Sequence, residues 1–271
     1  MKRGNNNMKK VISFYSTKGG VCKTSSCTLL AHTLEEQGKK VLVVDMCQNG
    51  DVANNFGFNR HSFLGKTTYE WLTKEKTFEE VVVQVPGKNI FFIPSNNRID
   101  ELETWVNKNI LRNKDEVLLK KLNEVKEDYD VVLIDCHPSQ GSFSSICSLI
   151  PAELVYIPSL TDGNSLEGTY RAAQIVLKLN EEGMNLDYTI VPTRVYANSF
   201  GKVERIYTEK ITEWVQDGVM KYCSVSIPDC RIVEDWTRKE LNYEGLKKHK
   251  TGGKLVEEYN KIAKMIVEGE L

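Results

Sequence analysis

This chain lacks any long apolar run. No stretch of its 271 residues approaches the ~18 consecutive uncharged apolar residues of a membrane-spanning helix, so a spanning segment is excluded. The opening MKRGNNNMKK carries charge but is followed by no apolar core of the length a secretory leader needs. A charge excess is also missing. Thirty-six Lys and Arg stand against 37 Asp and Glu, a net charge of −1, so no global basic field points to nucleic acid and such a role must rest on a local patch. Cysteine is present seven times, an odd number without repeated CxxC or CxxxH spacing, which argues against a disulfide framework or a zinc module. Reduced thiols in a cytoplasmic protein are the simpler reading. No internal repeat, low-complexity tract or Pro/Gly-rich linker divides the chain. It reads as one domain over 9–271 behind a flexible N-terminal extension of residues 1–8, with Met8 as an alternative start.

What the chain has is alternation. Short runs rich in Val, Ile, Leu and aromatics lie at Val11–Tyr15, Val41–Asp45, Ile90–Pro94, Val131–Asp135, Leu154–Pro158, Tyr188–Pro192 and Tyr222–Ile227. Lacking polar alternation, they predict parallel strands covered on both faces. Between them, amphipathic stretches predict helices near Lys23–Gln37, Thr68–Leu72, Lys114–Lys126, Ser165–Leu179, Val203–Gln216 and Lys254–Val267. Gly38 and Gly183 sit where left-handed helix caps fit. Asn49–Lys66 reads as an irregular connection. The pattern predicts an α/β fold, a doubly wound, mostly parallel sheet of about seven or eight strands flanked by helices, with ligands at the C-terminal strand ends.

The most informative stretch is STKGGVCKTSS, residues 16–26. A strand runs into a glycine-containing turn and a helix begins near Lys23, the context of a phosphate-binding loop (P-loop). Backbone N–H groups of such a loop, with the helix N-terminus, cradle phosphate oxygens. Lys23 would neutralise the β- and γ-phosphates, and the Thr24 hydroxyl would ligate Mg²⁺.

KGGVCKT resembles the KGGVGKT loop of the deviant Walker-A ATPases of the ParA and MinD family, and the likeness extends along nearly the whole chain. VLVVDMCQNGD (41–51) is similar to the family's VLLIDxDPQGN, and YDVVLIDCHPS (129–139) to its Walker-B segment YDYVLIDCPPS. FFIPSN (91–96), VYIPSLTDGNSLEG (155–168) and SIPDCRIVEDW (226–236) resemble further family segments. The resemblance implies a P-loop NTPase that binds ATP and Mg²⁺ through Lys18, Gly19, Gly20, Val21, Cys22, Lys23, Thr24 and Ser25. It places Lys18 across a nucleotide-sandwiched homodimer, on the partner subunit's phosphates. Asp135 would bind the metal through water and Asp45 would stand near its water shell. Lys18, Lys23 and Asp45 become the expected catalytic residues. Thr193, Pro228 and Asp229 are expected at the base, with ordinary loop geometry as the alternative.

Three positions depart from the family pattern. Cys22 replaces the last loop glycine, and if that position requires φ > 0 its Cβ costs about 1–2 kcal/mol. Cys47 stands where the family has the second aspartate of DxDPQ, tied to positioning the attacking water. His137 replaces the first proline of CPPS. These departures predict nucleotide binding more firmly than turnover, and hydrolysis that is slow or stimulated by a partner. Cys22, Cys47 and Cys136 are expected near one another, as inert thiols or as a redox-sensitive set.

The last stretch, KLVEEYNKIAKMIVEGEL (254–271), has an acidic polar face and predicts a packing helix rather than membrane docking. The basic run 238–254 holds Arg238, Lys239, Lys247, Lys248, Lys250 and Lys254. With Lys202, Arg205, Lys221 and Arg231 it forms either a stripe for non-specific DNA or a solvated surface. Two functions stay open: a plasmid or chromosome partition ATPase, nucleoid-associated when ATP-bound and switched off by a ParB-like centromere-binding adaptor, or a hydrolysis-impaired dimeric switch acting on a protein partner.

Overall fold

The computed structural model describes residues 10–161, 163–195, 209, 210, 213, 221–238 and 241–271. The expected helix at Val203–Gln216 lies almost wholly outside these residues, as do Lys202, Arg205 and Lys239.

Seven strands form one sheet: β1 (Val11–Phe14), β2 (Val41–Asp45), β3 (Val83–Gln84), β4 (Ile90–Ile93), β5 (Val131–Asp135), β6 (Leu154–Leu160) and β7 (Asp187–Thr193), in the order β3-β4-β2-β5-β1-β6-β7. All neighbours are parallel except the two-residue β3, which pairs antiparallel with β4 at the margin. Successive side chains point to opposite faces, so each central strand feeds two cores. Val41, Val43, Val131 and Leu133 pack on one side, and Leu42, Val44, Val132 and Ile134 on the other. That double burial explains why these strands read as unbroken apolar runs.

On one face lie α1 (Lys23–Glu36), α2 (Asp51–Asn55), α9 (Ile232–Thr237), α10 (Tyr243–Lys248) and α11 (Lys250–Glu268); on the other lie α3 (Thr68–Leu72), α4 (Phe78–Val81), α5 (Leu102–Asn109), α6 (Val117–Val125), α7 (Phe143–Leu149) and α8 (Gly163–Glu181). In α11, Leu255, Val256, Tyr259, Ile262, Ala263 and Ile266 recur at helical spacing and are buried. They make the last stretch the packing helix expected. The Tyr259 hydroxyl hydrogen-bonds Ser26 of α1 at 2.7 Å. Gly38 and Gly183 follow α1 and α8 with φ of 79° and 102°, the left-handed caps anticipated. The α10–α11 corner is closer still. A Cβ on Gly252 would lie 2.2 Å from the Leu246 carbonyl oxygen, so only glycine allows α11 to start so near the end of α10.

Three expectations are corrected. Tyr222–Ile227 is not a strand: it meets β7 and its exit through isolated bridges, Ile190↔Tyr222 and Val195↔Pro228. Ile190 donates to the Lys221 carbonyl and accepts from Cys223, and Pro192 accepts from Ile227. Pro192 has no N–H to complete the ladder between those contacts. Asn49–Lys66 is not wholly irregular, since it contains α2 and a 3₁₀ turn at Arg60–Phe63. The stretch from Lys114 begins as 3₁₀ and becomes α-helical at Val117.

Candidate functional site

The sheet registers Phe14 of β1 and Asp45 of β2 beside Asp135 of β5. The loop after β1 and the two aspartates therefore share one edge of the sheet. Gly20 and Cys22 both have positive φ, 74° and 70°. The position held by Cys22 is thus left-handed, and a residue with a Cβ occupies it. Cys22 is the N-cap of α1 without a side-chain cap bond, and its carbonyl accepts the first helical bond from Ser26 at 2.8 Å. Lys23 is buried and folds back to donate to the Lys18 carbonyl at 3.1 Å. Burial lowers its pKa, opposed chiefly by the charge of Asp135. Val21 lies buried under the loop, where its carbonyl accepts from Thr193 Oγ1 at 3.4 Å.

Thr24 Oγ1 donates to Asp135 Oδ2 at 2.7 Å. Asp135 Oδ1 and Asp45 Oδ2 are buried with no hydrogen-bond partner. Burial raises the pKa of both carboxyls, and the charge of Asp135 raises Asp45 further. Orphaned oxygens of this kind need an explanation.

Two cavities open here. One of about 410 Å³ is lined by Gly19, Gly20, Lys23, Thr24, Cys47 and Asp51 among others. The second, of about 180 Å³, is lined by Leu29, Thr193, Pro228, Asp229, Val233 and Leu255 among others. Cys22, Ser25 and Thr237 line both. Loop and helix N-terminus thus line one cavity, continued by a more apolar one, and the buried Asp135 adjoins the first through its bond from Thr24.

The AAA domain family matches residues 9–190. The chromosome-partitioning ATPase Soj of Treponema pallidum is 34% identical over 183 residues, covering 68% of this chain and 69% of the relative. The chain belongs to the ParA/MinD family of deviant Walker-A ATPases. Solved structures agree in fold. A Cyanothece McdA variant in complex with ATP superposes with a TM-score of 0.81 at 19% identity, covering 97% of each chain. Cobyrinic acid a,c-diamide synthase from Mycobacterium smegmatis, with bound ADP and magnesium, gives 0.78 at 20% identity, covering 96% of this chain and 94% of that one.

Within this ParA/MinD-family chain two residues expected at the nucleotide, Lys18 and the buried Val21, line neither cavity. Lys18 lies along α8, its Nζ 3.3 Å from Ser165 Oγ and its Cβ beside Gly168, where an added Cβ would come within 3.4 Å. The sequence reading missed Asp51, Asn54 and Asn55 in the larger cavity, Arg194, Val233 and Leu255 in the smaller, and Thr237 in both. Asn55 would have been reachable had α2 been recognised. Its amide donates to Thr28 Oγ1 at 3.0 Å, and that hydroxyl donates to the Thr24 carbonyl at 2.8 Å.

The departures from the family pattern adjoin. Cys47 Sγ lies 4.0 Å from His137 Nδ1. Burial and the two aspartates push the Cys47 thiol up to about 12, and burial raises Cys22 and Cys136. Thiolate is the reactive form of cysteine, so burial disfavours it at all three positions and supports the first of the two cysteine readings.

Of the basic run, Lys247 is paired with Glu36 at 2.6 Å, and Arg238 lies 3.7 Å from Glu234. Lys248 and Lys250 are exposed at the α10–α11 corner. Among the described residues, no helix is long and apolar enough to cross a membrane.

Proposed function

We propose that this chain is a ParA-like partition ATPase: ATP joins two copies into a sandwich dimer, the dimer holds DNA without sequence preference, and a ParB-like adaptor triggers hydrolysis that releases it. One observation carries the nucleotide reading. Thr24, which lines the larger cavity beside Lys23, is hydrogen-bonded to Asp135, and Asp135 with its register neighbour Asp45 holds two buried, unpartnered carboxylate oxygens behind it. That set fits Mg²⁺ held with a nucleotide, because hard oxygen ligands and uncompensated negative charge are what this cation satisfies. Thr24 would ligate it, with Asp135 acting through water and Asp45 behind. The cation, when bound, supplies charge neutralisation at the transferring phosphoryl group. The relatives described above support the same reading, one named for chromosome partitioning and two solved with adenine nucleotides.

The residues of this chain have distinct tasks. Backbone N–H groups of the loop and the start of α1 bind phosphate oxygens, aided by the helix dipole. Lys23 adds a fixed positive charge from a buried position. Lys18, lodged against α8, would leave Ser165 to reach the partner copy's phosphates. Cys47, a neutral thiol, cannot orient water as a carboxylate does, so unstimulated turnover is slow. Exposed Lys248 and Lys250, with Lys247 and Arg238 once freed from their glutamates, form the DNA-facing set. The chain acts in the cytoplasm, on the nucleoid when ATP-bound.

Sedimentation with ATP, with ADP and without nucleotide tests the dimer. A monomer under all three conditions removes the sandwich reading. DNA retention that did not fall steeply with salt, or that survived Lys248→Glu with Lys250→Glu, would remove the DNA assignment. Cys47 favours a second reading, an ATP-locked switch for a protein partner. It gains if no adaptor or DNA raises phosphate release.

A further inference from the structure

The smaller cavity carries an ion pair that the sequence reading did not anticipate. Arg194, just past the end of β7, donates from Nε to Asp229 Oδ1 at 2.9 Å. Both residues line the cavity together with the apolar Leu29, Ile227, Val233 and Leu255. The backbone fixes the two partners against each other. Val195 donates to the Ile227 carbonyl at 3.0 Å, and Asp229 donates back to the Val195 carbonyl at 2.9 Å. Arg194 itself has φ of 55°, a left-handed conformation that costs a residue with a Cβ about 1–2 kcal/mol. The surrounding structure holds it there. The Asp229 side chain is 14% exposed and that of Arg194 is 47%, so the carboxylate is the inner member of the pair.

A carboxylate in a base pocket is a discriminating group. When ionised it only accepts hydrogen bonds. Guanine presents two adjacent donors, N1–H and N2–H₂, which a carboxylate with both oxygens available takes together. Adenine presents a single donor group, N6–H₂, beside an acceptor, N1. An unrestrained aspartate therefore favours guanine.

Resting on the reading of this site as a purine nucleotide pocket, we propose that Arg194 sets its selectivity for adenine. The guanidinium takes one lone-pair site of Asp229 Oδ1 and lies along that edge of the carboxylate, which crowds guanine's two-oxygen contact and leaves the carboxylate able to accept one bond from the adenine amine. Arg194 is a positioning residue for Asp229. A group engineered to meet particular donors discriminates strongly against a ligand that leaves it unpaired, so the pair decides which base is accepted.

The test is competition of unlabelled ATP and GTP against a fluorescent methylanthraniloyl-ATP probe with Mg²⁺. It compares wild type, Arg194→Ala, Arg194→Lys and the double variant Arg194→Ala with Asp229→Asn. Wild type is expected to prefer ATP. Arg194→Ala is expected to shift the ATP/GTP ratio toward GTP by about tenfold or more, mainly through gained GTP affinity. Arg194→Lys restores the preference by keeping a cation on Asp229, and the double variant loses the GTP gain. If Arg194→Ala does not fold, Arg194→Gln is measured in its place with the same expectation. An ATP/GTP ratio unchanged in the variant, or both nucleotides weakened in proportion, overturns the proposal while the nucleotide reading stands. A wild-type protein that binds neither nucleotide overturns both.

Discussion

The two ends of the site are built by different means. The phosphate end is a backbone device: Gly19, Gly20 and the run from Cys22 to Ser25 bend around one cavity, and side chains such as Thr24 add a few contacts. The base end is a side-chain device assembled from α1, the exit of β7, the segment at 227–234 and α11. A backbone cradle tolerates a changed side chain, which is how Cys22 occupies a left-handed position without dismantling the loop. A pocket walled by side chains has no such tolerance, because each wall residue supplies both shape and polarity.

The largest way to break this contrast is at the one phosphate-end position where a side chain matters most. Lys23→Ala is expected to weaken ATP binding by about 100-fold or more, since a buried cation facing phosphate charge is lost. Isothermal titration reads it, and a loss below tenfold would mean that the backbone cradle alone suffices. Next comes Cys47→Asp. It is expected to raise phosphate release by about one to two orders of magnitude by restoring a group that orients water. Unchanged turnover would show that another step limits the reaction.

The third test probes α1, the element common to both ends. His32 is buried on it and stacked on Tyr243, with ring centroids 4.0 Å apart. Burial, with the nearby charge of Lys88, pushes its pKa down to about 3 from 6.5. The folded state therefore takes up this proton less readily than the unfolded chain. The stabilisation is full above pH 6.5 and is lost as pH falls toward 3. By pH 5 the loss from this residue is about 2 kcal/mol. Urea unfolding at pH 7.5 and pH 5 is expected to show the wild type losing more stability than His32→Phe, and equal losses would contradict the assignment. The smallest effect belongs to Cys22→Gly. Relief of the left-handed strain, less the greater freedom of glycine in the unfolded chain, is expected to stabilise by about 0.5–1 kcal/mol. Lower stability in the variant would show that the Cys22 side chain contributes packing that outweighs its strain.

The same contrast explains what could be read from the amino-acid sequence. Runs such as VLVVD and VVLID have one physical solution, a strand covered on both faces, and six of the seven expected strands are present. KGGVCKT directly after such a run likewise defines a turn between strand and helix. Tyr222–Ile227 misled because its composition suits a strand, while the missing N–H that interrupts pairing belongs to Pro192 on the neighbouring strand. The Arg194–Asp229 pair joins positions 35 residues apart; the 226–236 segment marks Asp229, but nothing local marks Arg194 or its pairing. Short helices such as α2 and α10 carry too few turns for periodicity to emerge. The lodging of Lys18 against Ser165 depends on how α8 approaches the loop from 147 residues away.

The margins of the sheet have a consequence of their own. At one side the sheet ends in β3, two residues long and antiparallel. At the other, residues 221–228 lie along β7 and its exit, taking up N–H and C=O groups of Ile190, Pro192 and Val195. Among the described residues, neither margin offers a long row of open backbone groups for a foreign strand to pair with. Lateral addition of a foreign strand, the hazard of an open sheet edge, is thereby hindered at both margins. The second copy proposed above would dock on side-chain surfaces, where contact can be made and undone.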